Sequence, residues 1–538
     1  MKLGIQCFGL KNMPLPDPKA FFSRLYGMGY RLVEPCIAFA KLPFDLWSIW
    51  TAENAVDRAL ELHSLGFETL SAHVFGDPEA SMDEMLRIAE KIGVKQYVVG
   101  LPRELTEDSC RAAAEKYRRC AEKLSAHGIS LLIHNGNEQA TAVKIGGKTA
   151  YEFLLDECGG LVGAQPDIGW VAAGGVDVVE WMKRNEHRVW SLHYKDRADG
   201  GEKPVGKGDI DSYSCFKMAR YAGIPQIIDM DSCTEQDIAD AAKFIQGFVN
   251  RREWTESVLC TLDVDSGEVT ELKRFDGVIE APNWSPDGKY LYYNADGFIH
   301  RYSLADGSVS KVDTGECNHC NNDHVLSVDG RRIAVSHMVF DKGFSSYVYI
   351  VDMDGNEPPR LITPNSPSFL HGWSADGELA YCAFREENGA RVVDIYTIPE
   401  EGGEERRLTD GIGYSDGPEY SPDGKYIWFN STRDGLMQAY RMDRDGGNLT
   451  RMTHTDNNEW FPHISPDGRR VVYLSFKKGD LDPSQHLANL WVSLNVMSSD
   501  GSNARGLIDF FGGQGTINVN SWAPDSKQIA FVKYEPKG

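Results

Sequence analysis

Acids and imidazoles recur in this sequence where a short apolar run gives way to polar residues. Glu34 ends YRLVE, His73 lies in SAHVF, and His134 closes SLLIH and is followed by Asn135 and Glu138. Asp167 ends VGAQPD, with Trp170 just beyond; His193 and Lys195 alternate in LHYKD, and Asp229 and Asp231 alternate in IIDMD. In an extended strand, residues two apart share a face. The pairs 193/195 and 229/231 therefore each point one way. Carboxylates and imidazoles are costly to bury without a partner or a metal. Gathered in one place, they can hold a divalent cation or move a proton.

The elements that must gather them are eight apolar runs, read as strands over 2–8, 30–35, 68–74, 95–100, 129–134, 162–167, 188–194 and 225–230. Amphipathic stretches lie between them, such as DPKAFFSRLYGMG and TEDSCRAAAEKYRRCAEKLSAHG. The latter places Ala113, Ala114, Tyr117, Cys120, Ala121 and Leu124 on one helical face, opens at Thr106 and closes at Gly128. Strict alternation of strand and helix implies a parallel sheet. Eight such units in about 250 residues are the size of a TIM barrel, whose chemistry sits at the C-terminal ends of the strands. Residues 1–250 are therefore expected to form a (β/α)₈ barrel with Glu34, His73, His134, Asp167, His193, Lys195 and Asp229 at its mouth.

The segments LVGAQPDIGWVAAGGVDVVEWM (161–182), VWSLHYKD (189–196) and PVGKGDIDSYSCFKMARYAGIPQIIDMDS (204–232) resemble the sugar phosphate isomerase/epimerase family, which has a xylose-isomerase-like barrel. The resemblance implies one divalent cation, Mn²⁺ or Mg²⁺, held by Glu138, Asp167, His193 and Asp229. Two departures stand out. The family's HNHxxE appears here as HNGNE, and its strand 8 Glu appears as Asp229, one methylene shorter, with Asp231 placed to compensate. Such an ion acts as a Lewis acid on vicinal sugar oxygens and stabilises the enediolate left when a proton next to a carbonyl is removed. The acid and base expected to flank that carbon come from His134, Glu34 and Lys195. His73 and Trp170 are expected to contact substrate.

Near residue 251 helical periodicity stops and a motif recurs: NWSPDGKYLYYN, VLSVDGRRIAVS, GWSADGELAYCA, EYSPDGKYIWFN, HISPDGRRVVYL and SWAPDSKQIAFV. A period of roughly 42–58 residues marks the blades of a β-propeller. Each copy reads as a turn between two strands. Residues 256–538 are expected to form a six-bladed propeller, with 257–274 completing the last blade. The repeat resembles the TolB-like (WD40-like) propeller. The residues just before each turn are unusually polar, and they place His324, His371, Glu459 and His463, with Asp416, Gln514 and Asn518, where the innermost strands begin. Those four are expected to contact substrate.

The formal net charge of −23 and the pI near 5.1 argue against nucleic acid, whose backbone requires clustered Lys and Arg. No segment approaches the roughly 20 apolar residues that span a membrane. Eleven scattered cysteines suit reduced thiols and a cytoplasmic protein. The CxxC of Cys317 and Cys320 has no second pair, which a zinc site usually shows. The expected function is a metal-dependent carbohydrate enzyme of isomerase or epimerase type, acting on a small sugar or glycoside, with a homo-oligomer compatible. The alternatives are a β-eliminating lyase on keto-glycosides, with its site in the barrel or the propeller, and a non-catalytic carbohydrate-binding scaffold.

Overall fold

Each of the eight apolar runs forms a strand, and every strand pairs in parallel with its neighbours. The computed structural model describes residues 2–39, 46–249, 253, 255–340, 345–387 and 389–537. The chain divides into two units, Met1–Asn250 and Arg251–Gly538. In the first, the strands are β1 (Leu3–Gln6), β2 (Tyr30–Glu34), β3 (Ser71–Phe75), β4 (Gln96–Val99), β5 (Ser130–His134), β6 (Val162–Gln165), β7 (Leu192–Tyr194) and β8 (Gln226–Ile228). Ladders join β1 to β2, β3 to β4 to β5 to β6, and β7 to β8 to β1. Single bridges at Leu32–Glu68, Ala164–Val189 and Asp167–His193 complete the ring. Pro35, which has no N–H to donate, breaks the strand after Glu34; the chain resumes pairing at Cys36–Ala38, against β3.

Eight helices alternate with the strands: α1 (Pro18–Gly27), α2 (Ala55–His63), α3 (Met82–Ile92), α4 (Glu107–Ser125), α5 (Ala150–Glu157), α6 (Val178–Asn185), α7 (Ser212–Tyr221) and α8 (Glu235–Val249). In α4 a capping box between Thr106 and Ser109 satisfies the first free N–H groups, and Cys110, Ala114, Tyr117, Cys120, Ala121 and Leu124 are buried. One continuous apolar core joins these helices to the strands.

The second unit is a six-bladed propeller. Blades 1 to 5 are four-stranded antiparallel sheets, each opening on an inner strand: Glu280–Trp284, Cys320–Leu326, Ser368–Trp373, Ser415–Tyr420 and Asn458–Ile464. Blade 6 is built from both ends of the domain. Thr255–Asp263 pairs with Gln528–Pro536 over nine residues, and Val269–Phe275 pairs outside it. The recurring turn has a physical cause. In blades 1 to 5 the Ser hydroxyl donates to the Asp two residues on, at 2.6–2.7 Å, and the Gly takes φ of +68° to +89°. In blade 6, Ser526 adopts φ +61° in place of that Gly.

The closing strand carries Phe531, fully buried in an apolar cluster with Val258, Cys260 and Phe510. Phe531→Ala should lower the unfolding free energy of the propeller by about 3–5 kcal/mol, measured by urea denaturation. Val269→Ala, on the half-buried outer strand, should cost markedly less.

Candidate functional site

The barrel brings four of its strand ends to one point. His134 closes β5, Asp167 follows β6, His193 lies in β7 and Asp229 follows β8; each offers a ligand atom within 4.8 Å of all the others. His73, from β3, forms a second such group with His134 and His193. Asn135 fixes the first two ends against each other: its side chain accepts from the Asp167 N–H at 2.6 Å and donates to the Asp167 carbonyl at 3.1 Å. Asp167 also caps the short helix Ile168–Ala173 by accepting from the Trp170 N–H at 3.0 Å. Gly169 in that helix is forced by close approach, since a Cβ there would meet Lys195 Cβ and Cγ at 2.8 Å.

Glu34, fully buried, has both oxygens engaged. Oε1 accepts from Ser71 Oγ at 2.5 Å and Gln165 Nε2 at 2.8 Å. Oε2 lies 2.6 Å from His193 Nε2 and 3.1 Å from His73 Nε2. His193 Nδ1 lies 3.2 Å from Asp229 Oδ2. Lys195, 1% exposed, donates to Asp231 Oδ2 at 3.0 Å and stands 3.7 Å from Asp229 Oδ1, 3.8 Å from Asp167 Oδ2 and 3.9 Å from Glu202 Oε2.

These charges distort one another. Burial pushes the Asp167 carboxyl up to about 8, against the pull of Lys195. Burial would also raise Glu34, but His193 and His73 hold it well below the usual carboxylate range. In His193 burial is outweighed by Glu34 and Asp229, so its imidazolium persists to about 10. His134 goes the other way: burial and the neighbouring His193 and His73 keep it neutral. Lys195 is held charged, its burial outweighed by Asp229 and Asp167. Three buried atoms of the four-residue group have no hydrogen-bond partner: His134 Nδ1, Asp167 Oδ2 and Asp229 Oδ1.

The resemblance placed Glu138 among the ligands, and here the structure differs. Glu138 is outside the four-residue group and stands at the N-terminus of the short helix Gln139–Ala142. His134 takes its place in the group, and Glu138, half-buried, lines a cavity of 880 Å³ with Trp170, Val176, Arg197, Ile210 and Asp211 among its walls. Arg197 lies 5.1 Å and Lys195 Nζ 5.6 Å from the Trp170 ring centre. The PVGKGDID motif shapes the loop beside this cavity. Asp196 accepts from the N–H groups of Arg197, Gly206, Gly208 and Ile210 at 2.9–3.2 Å, and a Cβ on Gly208 would come within 2.2 Å of Asp196 Oδ1.

In the propeller, the inner strands of blades 1 to 5 all shift register beside their polar residues, between Glu280 and Asn283, Cys320 and His324, Leu370 and Gly372, Asp416 and Glu419, and Trp460 and His463. Such irregularities re-aim side chains. His324, His371 and His463 do not form one ligating group among the described residues. His324 is fully buried and pushed down to about 4 by that burial. His463 bridges Glu419 Oε2, at 2.5 Å, and the Ile517 carbonyl, at 2.6 Å, which makes it a tie between blades. Glu459 accepts from Thr455 and Ser475. Only His371 joins a potential ligand group, with Cys382 and Asp416.

Gln165, Glu202, Cys382 and His486 were not singled out from the sequence. Gln165 lies two residues before Asp167, so strand periodicity was the available signal. The others depend on contacts between residues distant in the chain.

A family model described as the TolB beta propeller domain matches residues 387–490. The uncharacterized protein Atu1656 of Agrobacterium fabrum is 47% identical over 262 residues, 48% of this chain and 86% of that protein. A solved Agrobacterium tumefaciens structure described as TolB is 42% identical, with a TM-score of 0.49, over 52% of this chain and 99% of that chain. A sugar phosphate isomerase/epimerase from Parabacteroides distasonis is 22% identical, with a TM-score of 0.40, over 46% and 93%. The fold is a TIM barrel followed by a six-bladed propeller of TolB type. Among the described residues no helix is long and apolar enough to cross a membrane.

Glu459 provides a test of the propeller's electrostatics. Burial raises its carboxyl, against the Ser475 and Thr455 hydroxyls. A carboxyl whose pKa is raised on folding binds its proton more tightly in the native state, so stability falls as pH rises from the unfolded value through the folded one. Glu459→Gln should remove this dependence. Its melting temperature, followed from pH 4 to 8, should gain on the wild type as pH rises.

Proposed function

The chain belongs to the family of Atu1656, and from the geometry of its own barrel mouth we propose that it is a metal-dependent carbohydrate enzyme that abstracts a proton next to a sugar carbonyl. One observation carries this reading. Two carboxylates and two imidazoles from four consecutive strand ends lie within 4.8 Å of one another, and three of their buried atoms lack hydrogen-bond partners. That is the donor set a divalent cation completes. Asp167, His193, Asp229 and His134 would hold the ion. Two imidazoles favour Mn²⁺ or Zn²⁺ over Mg²⁺, which prefers oxygen. Bound there, the ion would supply Lewis acidity to vicinal sugar oxygens.

The remaining groups divide the work. Glu34 has its oxygens filled by four donors, so it orients His193 and His73 and is a positioning residue, not the base. Lys195 keeps its proton and provides fixed positive charge for a developing oxyanion. His134, neutral and inward, serves as a ligand. The base assigned in this reading is Glu138, which lines the cavity beside Trp170. Trp170 offers the sugar a flat apolar face. The 880 Å³ cavity lies near the upper end of ordinary ligand pockets. It favours, as a second reading, a glycoside whose leaving group departs after the same proton abstraction, which makes the reaction a β-elimination.

Deuterium exchange at the α-carbon of a panel of ketoses and keto-glycosides in D₂O tests both roles. Glu138→Gln should keep its metal and lose at least about 10²-fold in exchange rate. His134→Ala should lose metal and exchange together. Metal loss in Glu138→Gln with retention in His134→Ala would restore Glu138 as the ligand. Absence of exchange from metal-loaded wild type across the panel would overturn the proton-abstraction reading.

A further inference from the structure

A second ligand set lies in the propeller. His371 is on the inner strand of blade 3, at its register shift, and Cys382 is on the neighbouring strand Glu378–Glu387. Asp416 is on the inner strand of blade 4. One ligand atom from each lies within 4.8 Å of the other two, and all three residues are buried. His371 Nε2 is 3.2 Å from Asp416 Oδ1 and 3.7 Å from Asp323 Oδ1. A fourth donor comes from the blade 5 connection between Arg470–Phe476 and Ala488–Ser498: His486 Nε2 lies 3.8 Å from Asp416 Oδ2. The His486 ring is seated against Trp460 and Phe461, with centres 4.4 and 5.2 Å away. The Nδ1 atoms of His371 and His486 are buried without a hydrogen-bond partner. Nothing in the propeller fold requires a thiol, two imidazoles and a carboxylate to meet between three blades.

We propose that His371, Cys382 and Asp416, with His486 as fourth donor, form a second metal site that takes a thiophilic divalent cation such as Zn²⁺. The donor set decides the class of ion. Thiolate and imidazole select Zn²⁺ and similar ions, whereas Mg²⁺ and Ca²⁺ prefer oxygen alone. Bonds of about 2.0 Å to nitrogen and 2.3 Å to sulfur in a tetrahedron require His371, Cys382 and Asp416 to draw in by at most about 1.5 Å from the present 4.8 Å limit, while His486, outside that group, must swing in from beside Asp416. Binding displaces the Cys382 proton to solvent, since a coordinating thiol is deprotonated. The ion would pin blades 3, 4 and 5 together. It differs from the barrel site in that it contains sulfur.

Co²⁺ titration of the chelator-stripped full chain reads this sulfur directly. Wild type and His193→Ala should both develop a thiolate-to-cobalt charge-transfer band in the near ultraviolet, which saturates at one equivalent in His193→Ala and by two equivalents in wild type, where the barrel site also takes Co²⁺. Zn²⁺ should abolish the band and raise the melting temperature of the propeller. Cys382→Ser should lack the band. His486→Ala, a change in a connecting loop, should keep it with at least about tenfold weaker Co²⁺ affinity. A band that survives in Cys382→Ser, or no band in folded wild type at saturating Co²⁺, would overturn the site. Because His193→Ala removes only the barrel ligand, failure here and failure of the barrel reading are distinguishable.

Discussion

Like charges confined in a dry space must be neutralised, and the barrel mouth is arranged around that constraint. Glu34, Asp167 and Asp229 are buried together, with Asp231 and Glu202 close behind. Against them stand the ammonium of Lys195 and the imidazolium of His193. The deficit appears in Asp167, whose carboxyl is pushed up to about 8 by burial and so holds a proton at neutral pH. A divalent cation among His134, Asp167, His193 and Asp229 would replace that proton and one from His193, whose imidazolium must become neutral to ligate, and would engage Asp167 Oδ2 and Asp229 Oδ1, which otherwise face Lys195 at 3.8 and 3.7 Å. The supporting bonds serve the same end. Glu34 fixes His193 and His73, Asn135 clamps Asp167, and Asp196 folds the loop beside the cavity around its own carboxylate.

The propeller solves a different problem, that of closing a ring of separate sheets. It does so by pairing Thr255–Asp263 with Gln528–Pro536. In blades 1 to 5 the repeated Ser–x–Asp–Gly turn makes the first hairpin self-sufficient, because the Ser hydroxyl, the Asp carboxylate and the Gly backbone satisfy polar groups locally. That leaves the inner strands free to carry register shifts and polar residues. His463 and Glu419 use that freedom to tie blades together, while His371 and Asp416 meet Cys382 and His486.

Much of this was legible in the residues because it depends on local periodicity. Eight apolar runs become eight parallel strands within a few residues of the expected bounds, and six turn motifs become six blades, with 257–274 completing the sixth. Glu34, His73, His134, Asp167, His193, Lys195 and Asp229 do meet, since a strand end fixes a side chain's direction. Glu138 shows where that reasoning fails. Motif spacing aligned it with a ligand, but it lies outside the four-residue group and lines the cavity instead. Glu202, in a small hairpin, and His486, in a connection between strands, reach their partners only through tertiary packing, so no local pattern announces them. The three propeller histidines shared one motif position and yet diverged, because the register shift falls at a different residue in each blade.

Anomalous diffraction from crystals grown with Mn²⁺ addresses the barrel most directly. The account predicts a manganese peak within bonding distance of His134, Asp167, His193 and Asp229, with Glu138 left free in the cavity. A mouth in which no peak appears and Lys195 still stands between Asp167 and Asp229 would contradict it, and would make the lysine the permanent counter-ion of a metal-independent site.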